Sequence, residues 1–372
     1  MKVLYVVPNL RISQGVASYA MNYYRNIDKE KIHIDFFLLK SIETPYHDEI
    51  KNNGGKVYVL PDYKNNLKKA LNYIDCILKE ENYDIIHCNV VNSGIPFLYY
   101  AKKNRVPVRI LHSHGTKSAE KKWKEIRNNM LSPISKHYAN TFFACSKMAG
   151  DYLFRDKSYT VINNAIEIER FIYNQDIRDR LRKELRVQDK FVLGTVGRLC
   201  EQKNPKFAMK VFAQLLKNYP DAVYWWIGTG PLDNKIIDYV HKLGIEKSVF
   251  FLGNRSDVNQ LYQAMDVLLL PSLYEGLPVA GIEAQISGLP MIVADTVTNE
   301  MKIADNVRYI GLDKGLELWA NEIINISKQT NRNLDMQKFS EAGFEIKAST
   351  KKLSEKYFDL INMNTCNFSW GS

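Results

Sequence analysis

Short apolar runs alternate with amphipathic stretches along the whole chain. In the first half, residues 3–7, 34–39, 56–60, 84–88, 108–111, 141–145 and 159–162 are dense in β-branched, aromatic and aliphatic side chains and predict strands. Residues 17–26, 67–80 and 95–103 repeat their apolar positions at helical spacing and predict helices between them. The second half continues with strands at 191–197, 223–227, 249–252, 267–270 and 291–294. Alternation of this kind predicts an α/β chain with parallel sheets covered by helices on both faces. In such sheets ligands bind beyond the carboxyl ends of the strands, so the residues just past each strand carry the candidate chemistry.

Length divides the pattern in two. At 372 residues the chain exceeds one core at about 100–200 residues per domain. Residues 1–168 are expected to form a first domain, 169–345 a second, and 346–372 a helix packing back on the first. Residues 169–190 are dense in charge and are expected to be a linker. An apolar content of 45% and a charged content of 25% place the chain among globular proteins rather than disordered ones. Cys76, Cys88, Cys145, Cys200 and Cys366 are odd in number and show no paired spacing, so neither a zinc site nor a disulfide framework is expected, and a reduced cytoplasmic setting is. The first apolar run is short and is expected to be a strand rather than a signal peptide. No apolar run approaches the ~20 residues of a membrane span. The net charge of +10 favours anionic partners: nucleic acid, phosphorylated ligands or an acidic membrane surface.

The chemistry gathers at strand ends. Past the strand 267–270 comes Pro271-Ser272-Leu273-Tyr274-Glu275-Gly276-Leu277-Pro278, with Glu283 eight residues after Glu275. Pro278 suits a first helical position, because its missing N–H is not needed there. The loop therefore feeds a helix N-terminus, whose N–H groups and dipole favour an anion. The two carboxylates would repel a bare phosphate but suit sugar hydroxyls, and together these features point to a sugar-phosphate compound. Past the strand 191–197, Arg198 and Lys203 are placed to hold a diphosphate; a solvated loop is the alternative. Gly228 and Gly230 would admit a nucleotide near the backbone, but the third glycine of the dinucleotide fingerprint is missing and NAD is not expected. Gly15, after the first strand, would let a phosphate approach, or simply make a turn.

His87, His112 and His114 project from strand ends into the presumed cleft, or are hydrogen-bonded structural histidines. No third ligand stands at metal spacing nearby, so no metal site is expected. The stretch from Lys117 to Lys136 carries Lys121, Lys122, Lys124 and Arg127, with Trp123, Ile126, Met130 and Leu131 at roughly helical spacing. It would lie on an anionic membrane surface, or pack its stripe on its own sheet.

These residues together resemble the family-4 retaining glycosyltransferases of the GT-B type, in which two Rossmann-like, doubly wound domains face each other across a cleft. The resemblance runs over almost the whole chain. It rests on Glu275 and Glu283 as an E-x7-E pair, on Gly197-Arg198-Leu199 with Lys203-Asn204, on Ile227-Gly228-Thr229-Gly230-Pro231-Leu232, and on Asn163-Asn164-Ala165-Ile166-Glu167. The last departs from the usual Asn-Gly-Ile-Asp at two positions. Residues 21–28 and His112-Ser113-His114 resemble members that build capsular polysaccharide or exopolysaccharide.

The resemblance implies roles. Arg198 and Lys203 would hold the donor diphosphate, Gly15 would approach it, and Glu283 would bind the ribose. Glu275, with the backbone of Gly276, Leu277 and Pro278, would bind the transferred sugar. Arg255 would lie by the base, and His112 or His114 near the reacting sugar. The implied reaction moves a hexose or N-acetylhexosamine from a nucleotide sugar, with UDP the expected nucleotide, to a lipid-linked or oligosaccharide acceptor at the inner face of the cell membrane. No cofactor is expected, and since no D-x-D triplet occurs, no metal either. Two other functions compete. A nucleotide-sugar epimerase of GT-B fold needs no acceptor or membrane. A nucleic-acid-binding protein would use the positive charge, but the basic residues are not interleaved with aromatics on a sheet face.

Overall fold

The computed structural model describes residues 1–12, 14–61, 65–116, 122–155, 157–328 and 332–368. The chain divides into two compact units, Met1–Ala165 with Ile346–Ser372, and Ile166–Glu345.

The first unit is built on seven strands: β1 (Lys2–Val7), β2 (His33–Leu38), β3 (Val57–Val59), β4 (Ile85–Cys88), β5 (Val108–Ser113), β6 (Thr141–Ala144) and β7 (Thr160–Val161). Their order across the sheet is β3-β2-β1-β4-β5-β6-β7, with parallel pairing. Central strands such as β1 and β4 are buried along almost their whole length, so they read as apolar runs rather than as alternating ones. The helix Gly15–Asn26 turns Tyr19, Ala20, Tyr23 and Tyr24 inward. The C-terminal helix Ile346–Phe368 belongs to the same core: Ile346, Leu353 and Tyr357, on one helical face, are fully buried among β1, β4 and β5 side chains.

The second unit repeats the plan with six strands: β8 (Val192–Val196), β9 (Val223–Ile227), β10 (Val249–Gly253), β11 (Val267–Leu270), β12 (Met291–Ala294) and β13 (Val307–Ile310). The order is β10-β9-β8-β11-β12-β13, again parallel. Its core packs Trp226, Tyr224, Phe212 and Trp319 on Leu193, Val267 and Ile292. The edge strand β13 is absent from the apolar pattern, because only Val307 and Ile310 of its four residues are buried.

Two boundaries differ from expectation. The units divide after Ala165 rather than after residue 168, because the Ile166 N–H bonds the Phe344 carbonyl inside the second unit. Residues 169–190 are not a linker. They contain the helix Gln175–Glu184, whose Asn174 side chain caps it by accepting from the Ile177 N–H at 3.0 Å. The charges there serve the core: Arg178 meets Asp266 Oδ1 at 2.5 Å, and Arg182 meets Asp266 Oδ2 at 3.2 Å. The same carboxylate accepts the Val192 N–H at 2.8 Å, tying the helix to the start of β8. Asp266→Ala would leave two shielded guanidinium groups without their carboxylate, and is expected to cost about 3–5 kcal/mol in chemical denaturation, with Asp266→Asn losing less.

Candidate active site

In the second unit the order of winding reverses between β8 and β11, which lie side by side, and the loops leaving their carboxyl ends carry the candidate groups. After β8 the chain passes Gly197 at φ +154, and the stem of Lys203 lies across it: a Cβ there would stand 2.9 Å from Lys203 Cε. Lys203 Nζ meets Glu275 Oε1 at 2.5 Å, and both side chains are largely shielded from water. Gln202 completes the lock, its amide donating to Glu275 Oε2 at 3.1 Å and to the Tyr274 carbonyl at 3.0 Å. The structure thus brings Lys203 and Glu275 into a single ion pair. Arg198 is exposed and makes no ion pair or side-chain hydrogen bond among the described residues.

Pro278 is the N-cap of the following helix, with ψ 109, rather than its first residue, and the helix runs Val279–Ile286. The N–H groups of Val279 and Ala280 begin that helix and lack intrahelical acceptors. Glu283 lies in its second turn, where Tyr262 donates to Oε2 at 2.9 Å. Burial pushes the Glu283 carboxyl up to about 7, against the smaller opposing pull of Tyr262 and Arg170.

Other expected contacts have local explanations. A Cβ on Gly228 would meet the Gly197 carbonyl oxygen at 2.3 Å, and one on Gly230 the Leu199 carbonyl oxygen at 2.1 Å. Those glycines therefore let two loops of the protein approach each other, whatever else they admit. A Cβ on Gly15 would meet nothing within 4 Å. Arg255 is held by Asp257 through two hydrogen bonds of 2.8 and 2.6 Å.

The first unit has its own cluster at the corresponding reversal, β1 beside β4. Tyr5 pairs with His87 across the sheet, and His112 lies diagonally beyond on the same face. A buried hydrogen-bonded chain runs from Tyr5 Oη to Tyr357 Oη (3.0 Å), to His87 Nδ1 (2.6 Å), and from His87 Nε2 to His112 Nδ1 (2.9 Å). Rather than projecting from the strand ends, His87 and His112 are both fully buried within the first unit, and among the described residues His112 Nε2 has no hydrogen-bond partner. His114 is half-buried, stacked on His112 with ring centroids 4.0 Å apart, and its Nε2 lies 2.8 Å from Asn89 Oδ1. Burial holds all three histidines neutral, with His114 lowered to about 3.

Comparison with known families adds to this geometry. Residues 13–170 match the family model "Glycosyltransferase Family 4", and residues 176–343 match "Glycosyl transferases group 1". The chain belongs to the family-4 glycosyltransferases. It is 27% identical over 96% of both chains to the provisionally named glycosyltransferase EpsF of Bacillus subtilis. It is 23% identical over 86% of its length, and 92% of the relative's, to the capsular polysaccharide biosynthesis glycosyltransferase CapH of Staphylococcus aureus. Among solved structures, Anabaena HepE in complex with UDP-glucose superposes with a TM-score of 0.72 at 18% identity, covering 98% of this chain and 97% of that one. Both sheets thus have the doubly wound form of GT-B glycosyltransferases.

Within this family-4 glycosyltransferase, the sequence motifs do not assign partner roles to Gln202 and Tyr262 in the second unit or to Asn89 and Tyr357 in the first. Gln202 and Asn89 lie beside motif residues and were open to notice; Tyr262 and Tyr357 carry no local signal. Of the basic stretch, Lys117 and Lys121 fall outside the described residues.

Glu283 has a consequence for stability. Its folded carboxyl titrates at about 7, above the ordinary 4.5, so the folded state holds this proton more tightly. That contribution is complete below the unfolded value and is lost as the pH rises through about 7. Glu283→Gln is expected to gain on the parent by about 2–3 kcal/mol between about pH 5 and pH 8, read by urea unfolding at each pH.

Proposed function

We propose that this glycosyltransferase moves a hexose or N-acetylhexosamine from a UDP-sugar to a lipid-linked surface glycan, with retention of configuration and without a metal, at the inner face of the cell membrane. The observation that carries the reading is the grouping of Arg198, the Lys203–Glu275 pair and the N-terminus of the helix Val279–Ile286 on the loops leaving β8 and β11. Departure of a nucleoside diphosphate needs positive potential at its phosphates. Arg198 and the opening N–H groups of that helix supply it, and Lys203 adds to it when its ammonium turns from Glu275 toward the phosphate. Glu275 then accepts hydrogen bonds from hydroxyls of the moving sugar, and Glu283 from those of the ribose. With the leaving group stabilised in this way, an acceptor hydroxyl attacks from the face the diphosphate leaves.

Relatives support the choice of donor and acceptor. The chain is 27% identical, over 79% of its length and 80% of the relative's, to the UDP-Gal:alpha-D-GlcNAc-diphosphoundecaprenol alpha-1,3-galactosyltransferase of Escherichia coli. HepE was solved with UDP-glucose. Membrane attachment is supported by the helix Lys122–Tyr138, on which Trp123, Ile126, Met130 and Ile134 are 59%, 62%, 74% and 41% exposed at spacings that share one face. Among the described residues no helix is long and apolar enough to cross a membrane, so contact would be made from the surface.

Transfer is to be measured with a panel of radiolabelled nucleotide sugars and a polyprenyl-diphosphate-linked sugar acceptor, with and without EDTA. Product is expected only when the acceptor is present, and to the same extent in EDTA. Conversion of the donor without acceptor would indicate an epimerase instead. Glu275→Gln is expected to lower the rate by about 100-fold or more while the protein stays folded, and full activity in that variant would remove Glu275 from the site. In co-sedimentation with phosphatidylglycerol vesicles, the parent is expected to pellet and Trp123→Ala/Met130→Ser to remain in the supernatant; equal pelleting would refute the membrane contact.

A further inference from the structure

We propose that Asn89 is a positioning residue for the transfer proposed above, on which this inference rests: it holds His114 in the tautomer with its proton on Nε2, leaving Nδ1 as the acceptor for a substrate hydroxyl. Asn89 follows β4 directly, and its own N–H is fixed on the Val6 carbonyl at 2.9 Å. Its side-chain Nδ2 donates to the His87 carbonyl at 3.2 Å. A carbonyl only accepts, so the amide cannot turn its oxygen there, and Oδ1 is the end that faces His114 Nε2 at 2.8 Å. An amide oxygen also only accepts. Nε2 must therefore carry the hydrogen, and a neutral imidazole then has a bare Nδ1.

The ring itself is held in place. His112 stacks on one side at 4.0 Å between centroids, and Tyr19 of the helix Gly15–Asn26 packs at 4.9 Å. Among the described residues the groups facing His114 are Tyr19, His87 and Asn89 at the end of β4, and His112 of β5; none of these is a carboxylate or a cation. None of these groups would stabilise an imidazolium, and burial lowers the His114 pKa to about 3. A nitrogen of such low basicity accepts a hydrogen bond from a hydroxyl and does not take its proton. His112 has no such capacity: its Nδ1 is engaged by His87 and its Nε2 is enclosed. His87 is itself pinned by Tyr357 of the C-terminal helix, so the carbonyl that orients Asn89 belongs to a fixed residue.

The tautomer is read directly from two-bond proton–nitrogen ring correlations in the full chain labelled with 15N-histidine, with His114→Gln used for assignment. A protonated Nε2 and a bare Nδ1 on His114 are expected in the parent; the reverse pattern overturns the proposal, whether or not transfer is detected. Asn89→Leu removes the fixed acceptor. Its His114 is expected to show mixed tautomers, and kcat to fall on the order of tenfold, the loss of one hydrogen bond, with the donor KM little changed. Mixed tautomers with unchanged kcat would overturn the functional half. Asn89→Asp keeps an acceptor on Nε2 but adds a charge. It also loses the donor to the His87 carbonyl, and is expected to keep the proton of His114 on Nε2 and to move the acid limb of the rate–pH profile upward, because a carboxylate beside Nε2 favours the imidazolium. An unmoved limb in that variant would refute the proposal even if Asn89→Leu failed to fold.

Discussion

In each unit the winding reverses between two neighbouring central strands, β1 and β4 in the first, β8 and β11 in the second. Parallel strands require each connection to cross a face of the sheet. Where the direction of crossing reverses, the loops leaving two adjacent strands go to opposite faces and leave their carboxyl ends uncovered. This constraint places much of the candidate chemistry. The strands themselves are buried and apolar, so side chains able to bind a charged or hydroxylated ligand are left to the strand ends. Arg198, Lys203 and Glu275 occupy one such reversal, and Gly15 and Asn89 the other, with His114 beside Asn89 at the end of the neighbouring β5.

Polar groups in these regions are costly to bury without partners, and the structure answers several of them with specific contacts. Lys203 and Glu275 neutralise each other, with Gln202 taking a second carboxylate oxygen. Asp266 gathers Arg178, Arg182 and the start of β8. Tyr5, Tyr357, His87 and His112 form one chain through the middle of the first unit. That chain makes the last helix, Ile346–Phe368, part of the support beneath the histidines near the end of β5, although almost the whole sequence separates it from β1. Networks in which each member is held by the next keep ring planes and amide orientations fixed, which is what a site built on hydrogen bonds needs.

Much of this was legible in the sequence. The alternation of apolar runs with helical periodicity located all but β13 of the strands, because buried parallel strands are almost wholly apolar. It missed β13 because an edge strand buries only half its residues. The charges of residues 169–190 suggested a linker because charge density is a local property. The destination of Arg178 and Arg182, a single carboxylate more than eighty residues away, is not. Pro278 signalled the helix start to within one residue, and its N-cap position came from a ψ that the residue type alone leaves open. The glycines at 228 and 230 suggest room for a ligand, and the structure adds that a Cβ on either would meet the protein's own carbonyl oxygens.

The sequence by itself determined the type of fold, the strand ends that carry chemistry and the kinds of side chain found there. Each of these follows from local patterning and from the chirality of parallel connections. Only the tertiary structure decided the partners: Glu275 with Lys203, Glu283 with Tyr262, His114 with Asn89, and His112 sealed where His114 is not. Hydrogen bonds and burial depend on which distant segments meet and at what angle, and neither is written in the spacing of residues along the chain.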